Sequence, residues 1–180
     1  MSTDSGRGRR RWLLTGVGAA AMASGLGWAW LRLQPQPVAS AAVTALFEQT
    51  FNDAQGRPQA LEQWRGQWLV VNFWATWCAP CVEEMPVLQK VAREYRDKGV
   101  AVIGLGIDTA AAIRRFQDEL RLELPLLVAG ATGSELARQL GNPSGALPYT
   151  VLVSPAGAVA QARLGLLSET LLRSWLDGRV

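Results

Sequence analysis

The chain has 180 residues, of which 49% are hydrophobic and 18% charged, an ordinary composition for one compact domain with a buried core. Its formal net charge of +3 is concentrated near the N-terminus, because residues 1–41 hold five of the 18 basic groups and one of the 15 acidic groups. The rest of the chain is therefore close to neutral. This balance argues against a nucleic-acid-binding surface, and we expect no nucleic-acid partner.

An arginine cluster followed by an apolar run opens the chain. Four arginines within residues 7–11 precede twenty uncharged residues, 12–31. A helix rises about 1.5 Å per residue, so this run is long enough to cross roughly 30 Å of hydrocarbon. Because positive charge stays on the cytoplasmic side, residues 1–41 are predicted to be an export signal or an N-terminal membrane anchor. Residues 42–180 should then form an extracytoplasmic domain.

The fate of this leader is left open by its sequence. Residues 9–14, Arg-Arg-Arg-Trp-Leu-Leu, resemble the twin-arginine export motif. The small residues Ala39, Ser40 and Ala41 would suit cleavage near Ala41, whereas residues 12–33 could equally remain in the membrane as an anchor. Both outcomes predict a periplasmic or otherwise extracytoplasmic location.

Short extended segments precede a central strand. Residues 46–61 contain two extended pieces around the turn residues 52–56, a pattern that predicts a hairpin outside the main sheet. A short helical turn is expected over 61–66. Residues 68–74 form an almost continuous apolar run, which is typical of a strand covered on both faces.

Helical and apolar segments then alternate. Residues 79–98 have helical spacing and are followed by Gly99, a suitable helix C-cap. Residues 100–107 predict a second buried strand. Asp108 is a candidate N-cap for a helix over residues 109–120.

The last third of the chain adds an antiparallel pair. Its pattern gives an apolar segment over 124–128, a short helix over 134–140, a hairpin formed by 149–154 and 159–164, and a closing helix over 168–176. Parallel units followed by an antiparallel pair predict an α/β fold, with a mixed central sheet and helices on both faces.

The two cysteines carry the clearest chemical signal. Cys78 and Cys81 lie between the predicted strand at 68–74 and the helix at 79–98. A crosslink across so short a loop adds little stability. A structural zinc site needs about four ligands, and the chain has no histidine and no third cysteine. We therefore expect redox chemistry, without a bound metal.

The position of Cys78 at the start of a helix predicts its role. Its sulfur would lie near unpaired amide groups at the positive end of the helix dipole, which favours the thiolate. A thiolate attacks a disulfide and forms a mixed disulfide, which Cys81, one turn further on, can resolve. Cys78 is thus the candidate nucleophile and Cys81 the resolving thiol, and no cofactor beyond this redox-active pair is expected.

The residues around the pair resemble a known family. Residues 72–81, Asn-Phe-Trp-Ala-Thr-Trp-Cys-Ala-Pro-Cys, resemble the active site of the thioredoxin superfamily. Residues 82–86, Val-Glu-Glu-Met-Pro, are similar to its TlpA/ResA branch of exported thiol:disulfide reductases. The likeness covers roughly residues 45–177 and implies a thioredoxin-like fold with an N-terminal hairpin extension.

The same resemblance implies partners. It describes a reductase that receives electrons from a membrane thiol donor and passes them to an exported protein with oxidised cysteines. Recipients of the cytochrome c or copper-site maturation type are implied. We expect the protein to be a monomer.

Glu84 is the third candidate catalytic residue. It matches the glutamate of the branch and lies three residues after Cys81, where a partly buried carboxylate could shuttle a proton for the resolving thiol. A solvated surface acid is the alternative. Thioredoxin has a buried aspartate at the position of Asn72, so this chain lacks that proton acceptor and Glu84 is its candidate substitute.

The resemblance also implies a substrate-binding surface. Pro148 matches the cis-proline that faces the disulfide in this fold. For Trp77, simple packing is an alternative, whereas Trp74 is expected in the core. The implied substrate-binding residues are Trp77, Ala79, Pro80, Leu147 and Pro148.

Two other functions use the same cysteines. A metallochaperone could hold Cu(I) between the two thiolates. A peroxiredoxin-like peroxidase shares a related fold, but its motif has a threonine three residues before the reactive cysteine, where this chain has Ala75. We rank both below the disulfide reductase.

Overall fold

A seven-stranded mixed sheet organises residues 39–180, the part of the chain that this computed structural model describes. The arginine cluster, the twin-arginine-like motif and the apolar run at 12–31 lie outside the described residues. Within residues 39–180, no helix has both the length and the apolar character needed to span a bilayer. The elements are α1 (Ala39–Phe47), β1 (Thr50–Asp53), β2 (Pro58–Ala60), a 3-10 turn (Leu61–Trp64), β3 (Trp68–Trp74), α2 (Ala79–Tyr95), a second 3-10 turn (Arg96–Lys98), β4 (Val100–Gly106), α3 (Ala110–Leu120), β5 (Leu126–Val128), α4 (Gly130–Gln139), β6 (Tyr149–Val153), β7 (Val159–Leu164) and α5 (Glu169–Leu176).

The sheet has the strand order β2-β1-β5-β4-β3-β6-β7. Strands β3, β4 and β5 are parallel, and the remaining neighbours are antiparallel. Along its whole length β3 pairs with β4, from Trp68 opposite Val100 to Trp74 opposite Gly106. The mixed central sheet predicted from the sequence is confirmed.

The central elements follow from local sequence. The apolar run at 68–74 forms β3, and every residue after Trp68 in it is buried. Helix α2 begins after Cys78, continues into the second 3-10 turn, and ends at Gly99 with a φ of 77°. Glycine adopts this left-handed conformation without the strain that a Cβ atom would add, so the C-cap prediction is confirmed.

The N-terminal hairpin belongs to the main sheet, so the prediction that it lies outside is wrong. Strand β1 pairs with β2 on one side and with β5 on the other, where Asn52 lies opposite Val128 and Asp53 opposite Leu127. Without β1, the outer edge of β5 would leave backbone groups unpaired beside the buried Leu127. The hairpin therefore closes an edge that the sequence pattern did not reveal.

Helix α1 was not predicted. The extended segment expected from residue 46 begins instead at Thr50, because Val43, Leu46 and Phe47 lie on the buried side of a helix. Their spacing of three and four residues is the usual signature of a helical apolar stripe. This stripe packs against the face of the sheet that α4 also covers.

Asp108 does not cap helix α3, contrary to the sequence prediction. Thr109 is the N-cap, and its Oγ1 accepts a hydrogen bond of 3.2 Å from the amide of Ala112. The carboxylate of Asp108 instead accepts from both the amide and the hydroxyl of Thr76. The other oxygen of this carboxylate, Oδ1, accepts a hydrogen bond of 2.7 Å from the amide of Thr109, so Asp108 joins the loop before Cys78 to the segment that leads into α3.

Apolar side chains fill two cores, one on each face of the sheet. The first, called here the cysteine-side core, includes Val70, Trp74, Cys78, Cys81, Met85 and Trp175. The second, called the opposite core, includes Val43, Leu46, Val71, Phe73, Leu105 and Leu136. Alternating residues of β3 supply both cores, as the two-residue period of a strand requires.

Candidate active site

The cysteine pair lies where β3 gives way to α2. Cys78 and Cys81 form a disulfide, and their Cα atoms are 5.2 Å apart. Cys78 is the N-cap residue of α2, and its carbonyl accepts a hydrogen bond of 3.1 Å from the amide of Val82. Cys78 is 7% exposed, whereas Cys81 is fully buried. A substrate sulfur approaching from outside therefore meets Cys78 before Cys81, and the role of Cys78 as nucleophile stays a prediction.

The loop that carries the pair is fixed to the neighbouring strand. Asp108 Oδ2 accepts hydrogen bonds of 3.1 Å from the amide of Thr76 and 2.6 Å from its hydroxyl. The amide of Ile107 donates to the carbonyl of Trp74 at 2.8 Å. Sequence reasoning missed this role of Asp108. The signal was available, because parallel strands β3 and β4 end at the same edge of the sheet.

Glu84 is buried, and the alternative of a solvated surface acid is wrong. Its side chain is 1% exposed. Asn72 Nδ2 donates to Glu84 Oε1 at 2.6 Å, and the amide of Leu167 donates to Glu84 Oε2 at 2.9 Å. The carboxyl group therefore links α2 to the central strand and to the segment before α5.

The surroundings of Glu84 change its acidity. Burial raises the pKa of Glu84 from 4.5 to about 7, although the hydrogen bonds from Leu167 and Asn72 act in the opposite direction. Both the protonated and the ionised forms are thus populated near neutral pH. A group with a pKa near the working pH can both accept and release a proton, which general acid–base chemistry requires.

Asn72 and Thr150 extend the polar group around Glu84. The two residues lie directly opposite each other in the antiparallel pair of β3 and β6. Asn72 Nδ2 donates to Thr150 Oγ1 at 2.9 Å, and both side chains are fully buried. Thr150 was not identified from the sequence, because only the strand register brings it next to Asn72.

Pro148 lies at the same end of the sheet as the cysteines. The bond between Leu147 and Pro148 is cis, and Pro148 immediately precedes Tyr149, which is opposite Phe73 on β3. The carbonyl of Pro148 accepts a hydrogen bond of 2.8 Å from the amide of Gly165. The loop that contains Pro148 therefore lies beside the carboxyl end of β3, and its backbone is hydrogen-bonded to Gly165.

The other residues expected to bind substrate differ in exposure. Trp77 is 70% exposed, so it is not a packing residue, whereas Trp74 is fully buried as predicted. Ala79 and Pro80 are exposed, and Leu147 is partly buried. An exposed tryptophan next to Cys78 offers an apolar surface to a polypeptide. Their roles in substrate binding remain a prediction.

The residues near the pair do not form a metal centre of the usual kind. Across residues 39–180, no group of three or more acidic or cysteine side chains is arranged to hold a metal ion. The reactive groups at this site are the two sulfur atoms of the cysteine pair and the buried carboxyl group of Glu84.

Known proteins resemble the chain in sequence and structure. Residues 42–162 match the AhpC/TSA family. The thiol-disulfide oxidoreductase ResA of Bacillus cereus is 31% identical over 127 residues, which are 69% of this chain and 70% of that protein. A thioredoxin-family thiol:disulfide interchange protein from Chlorobium tepidum shares the fold with a TM-score of 0.64 and 21% identity, covering 80% of this chain and 95% of its own.

A second solved structure supports the same fold. A secreted disulfide oxidoreductase from Mycobacterium tuberculosis has a TM-score of 0.60 and 20% identity, and the match covers 72% of this chain and 94% of that one. At these identities the solved structures establish the thioredoxin-like fold, while the sequence relatives establish the chemistry of the pair. The chain belongs to the AhpC/TSA family and is a thiol-disulfide oxidoreductase of the TlpA/ResA-like branch.

Proposed function

We propose that the enzyme works outside the cytoplasm as a reductase of disulfides in exported proteins. The observation that carries this proposal is the asymmetry of the pair. Cys78 reaches the surface at the start of α2, and Cys81 is buried one helical turn before Glu84. An accessible attacking sulfur and a protected resolving sulfur are what a two-step exchange requires.

The first step is attack on the substrate. The Cys78 thiolate attacks one sulfur of a substrate disulfide, forming a mixed disulfide and expelling the other substrate sulfur as a thiolate. The α2 amide groups that have no partner within the helix favour the negative charge on Cys78 before the attack.

The second step resolves the mixed disulfide. The Cys81 thiol gives its proton to the Glu84 carboxylate and attacks Cys78, which releases the second substrate sulfur and forms the disulfide described above. Two electrons pass from the enzyme pair to the substrate, so no cofactor is needed. With a pKa of about 7, Glu84 can accept this proton and later lose it to water.

The substrate is proposed to lie across the carboxyl end of β3. Trp77, Ala79 and Pro80 provide one side, and Leu147 with the cis-proline Pro148 provides the other. The exposed indole ring of Trp77 would contact apolar side chains beside the substrate cysteine. Substitution of Trp77 by alanine should therefore weaken binding of a protein substrate more than that of a small disulfide.

The proposed recipients are exported apoproteins whose cysteines must be reduced before haem or copper is attached. The proposed electron donor is a thiol protein of the membrane, and the enzyme acts as a monomer. The proposals for the recipient and for the electron donor are both based on the similarity to ResA. Equilibration with reduced and oxidised glutathione tests the direction of electron transfer. The cysteine pair of a reductase has a low reduction potential and should be mostly disulfide at equilibrium, whereas the pair of an oxidase should be mostly dithiol.

The leader is proposed to hold the enzyme at the membrane. Helix α1 starts at Ala39, and Ala42 and Val43 are already buried. Cleavage near Ala41 would remove the first turn of α1 and leave a charged amino group at Ala42, which is costly to bury. We therefore favour retention of residues 12–33 as an anchor over release. Intact mass measurement of the protein recovered from membranes tests this choice.

A trapping experiment tests the proposed function. In a Cys81→Ser variant the mixed disulfide with Cys78 cannot be resolved, so substrates should accumulate as covalent complexes. The control is the Cys78→Ser, Cys81→Ser double variant. We expect a small set of exported proteins bound through Cys78 and released by a reductant. Recovery of the same proteins with the control would contradict the mechanism.

Peroxide reduction is the second candidate, and the match to the AhpC/TSA family is the observation that favours it. Attack of Cys78 on a peroxide would form a sulfenic acid and release an alcohol or water. The peroxidase motif has a threonine where Ala75 is fully buried in this protein. Peroxide consumption that disappears in Cys78→Ser but survives in Cys81→Ser would support this second function.

A further inference from the structure

Asn72 is a buried amide in direct contact with the buried acid. It lies on β3, on the same strand face as Val70 and Trp74, which belong to the cysteine-side core. Its Nδ2 atom is 2.6 Å from Glu84 Oε1 and 2.9 Å from Thr150 Oγ1. Both hydrogens of the amide nitrogen therefore point to acceptors.

Among residues 39–180, the carbonyl oxygen of the same amide has no hydrogen-bond partner. Asn72 Oδ1 is buried and accepts no hydrogen bond within the described residues. A buried acceptor without a partner costs free energy, and such atoms in folded proteins often mark sites shaped by function. The amide is thus oriented to donate to the carboxylate even though its own oxygen remains unsatisfied.

Two groups donate hydrogen bonds to the Glu84 carboxylate, the Asn72 amide from β3 and the Leu167 backbone amide from the segment before α5. The Thr150 hydroxyl from β6 contacts Asn72, and Cys81 lies one turn before Glu84 on α2. Within residues 39–180, no basic side chain forms an ion pair with Glu84. The N–H groups of Asn72 and Leu167 are therefore the groups that stabilise the ionised carboxylate of Glu84.

These two donors differ in what they can do. The Leu167 amide is fixed by the backbone, whereas the donor of Asn72 is a side chain that substitution can remove. A hydrogen bond to an ionised carboxylate is stronger than one to its neutral form, so the donor shifts the balance toward ionisation. Loss of the Asn72 donor should leave Glu84 holding its proton to higher pH.

We propose that Asn72 is a positioning residue for the exchange reaction, whose side-chain amide holds the Glu84 carboxylate ready to accept the proton of Cys81. The inference rests on the proposed role of Glu84 and adds the residue that controls it. Asn72 is fully buried, so it acts through Glu84 and not by contact with the substrate. This strand position holds the amide of Asn72 and not a second carboxylic acid. Its hydrogen bond lowers the pKa of the one acid beside it, Glu84.

The first experiment measures Glu84 directly. In oxidised protein the cysteines do not titrate, so the pH dependence of the Glu84 carboxyl carbon signal in glutamate-labelled protein reports this residue. Glu84→Gln assigns the signal by removing it. In Asn72→Leu, which has a similar volume and no donor, we expect the midpoint to rise by about 1 pH unit. If the leucine variant does not fold, Asn72→Val, with its high strand propensity, replaces it.

The second experiment asks whether Asn72 acts through Glu84. The pH dependence of reduction of a peptide disulfide is compared for wild type, Asn72→Leu, Glu84→Gln and the double variant. Exposed Glu83, replaced by glutamine, is the control. We expect Asn72→Leu to move the pH–rate midpoint upward in the wild-type background and to leave the Glu84→Gln profile where it is.

The outcomes separate the two proposals. If Glu84→Gln leaves the pH–rate profile of the wild type unchanged, the proposed role of Glu84 fails. If Glu84→Gln changes the profile but Asn72→Leu leaves the Glu84 midpoint unchanged, only the role of Asn72 fails. The role of Asn72 would also be contradicted if Asn72→Leu shifted the pH–rate midpoint equally in the wild-type and Glu84→Gln backgrounds. Asn72 would then affect the reaction without acting through Glu84.

Discussion

The two cores on either side of the sheet enclose different kinds of side chain. The opposite core, built around α1 and α4, is packed with aliphatic and aromatic residues such as Leu46 and Phe73. The cysteine-side core contains the disulfide and faces a hydrogen-bonded group of Asn72, Glu84 and Thr150. A buried acid destabilises the folded state when it ionises, whereas an apolar core has no such penalty.

This difference separates packing from chemistry. β3 supplies both faces, so a single strand carries Val71 and Phe73 toward one core and Asn72 and Trp74 toward the other. Substitutions in the opposite core should change stability and leave the pH profile of the reaction in place. Substitutions around Glu84 should change pH dependence first.

The largest expected effect is on activity. Cys78→Ser removes the only sulfur of the pair that reaches the surface, so exchange with a peptide disulfide should fall to the level of the uncatalysed reaction. Cys81→Ser should still form the mixed disulfide in one burst without turnover. A stopped assay that counts thiols released per enzyme distinguishes the two. Substantial turnover by Cys78→Ser would show that Cys81 can attack first and would contradict the assignment.

The next effect is on stability. Leu46 is fully buried in the opposite core, and Leu46→Ala should lower the free energy of unfolding by about 2–5 kcal/mol. Denaturant titration measures this change. The exposed Leu166 provides the matched control, because Leu166→Ala removes the same atoms from a solvated site. A shift in the pH–rate midpoint of Leu46→Ala would show that the two cores are not independent.

A comparable effect should appear in the pH dependence of stability. The pKa of Glu84 is 4.5 in an unfolded chain and about 7 in the folded protein, so the folded state binds this proton more readily. The contribution of Glu84 to stability is complete below pH 4.5 and is lost as pH rises to about 7, by on the order of 3 kcal/mol. Oxidised Glu84→Gln should lack this decline, and Glu83→Gln should retain it. Identical curves for wild type and Glu84→Gln would mean that Glu84 has an ordinary pKa.

The smallest effect is expected at the loop before Cys78. Thr76→Val keeps the side-chain shape and removes the hydroxyl that donates to Asp108 at 2.6 Å. We expect a loss of about 1–2 kcal/mol in the free energy of unfolding, because a hydrogen bond to a charged group is broken while the backbone bond remains. Thermal unfolding of Thr76→Val and Asp108→Asn measures it. If Thr76→Val is as stable as wild type, the contact does not hold the loop.

The sequence predicted elements whose signal is local. Strand β3, helix α2 with its glycine end, the final hairpin and the cysteine pair all depend on neighbouring residues, and they were placed to within a few positions. The missed helix α1 had a local signal too, the helical spacing of Val43, Leu46 and Phe47, but the residues from 46 onward were assigned to an extended segment.

The rest depends on contacts between distant residues. Leu167 is 83 positions from Glu84, and Thr150 is 78 positions from Asn72, so neither contact has a pattern in the chain. The pairing of β1 with β5 is likewise set by strand order. The bonds from Thr76 to Asp108 are the exception, because two consecutive parallel strands end at the same edge of the sheet. The residue type of Glu84 and its spacing from Cys81 identified the acid, but its burial and bonding partners required the fold.

Selective alkylation of the reduced enzyme tests the central claim most directly. Iodoacetamide is added for short times at pH 7, and the modified cysteine is identified by mass spectrometry, with an unstructured cysteine peptide as the reference. We expect Cys78 to react first and faster than the peptide, while Cys81 stays protected. Reaction of Cys78 at or below the rate of the peptide, or preferential labelling of Cys81, would contradict the idea that α2 presents an activated sulfur to the substrate.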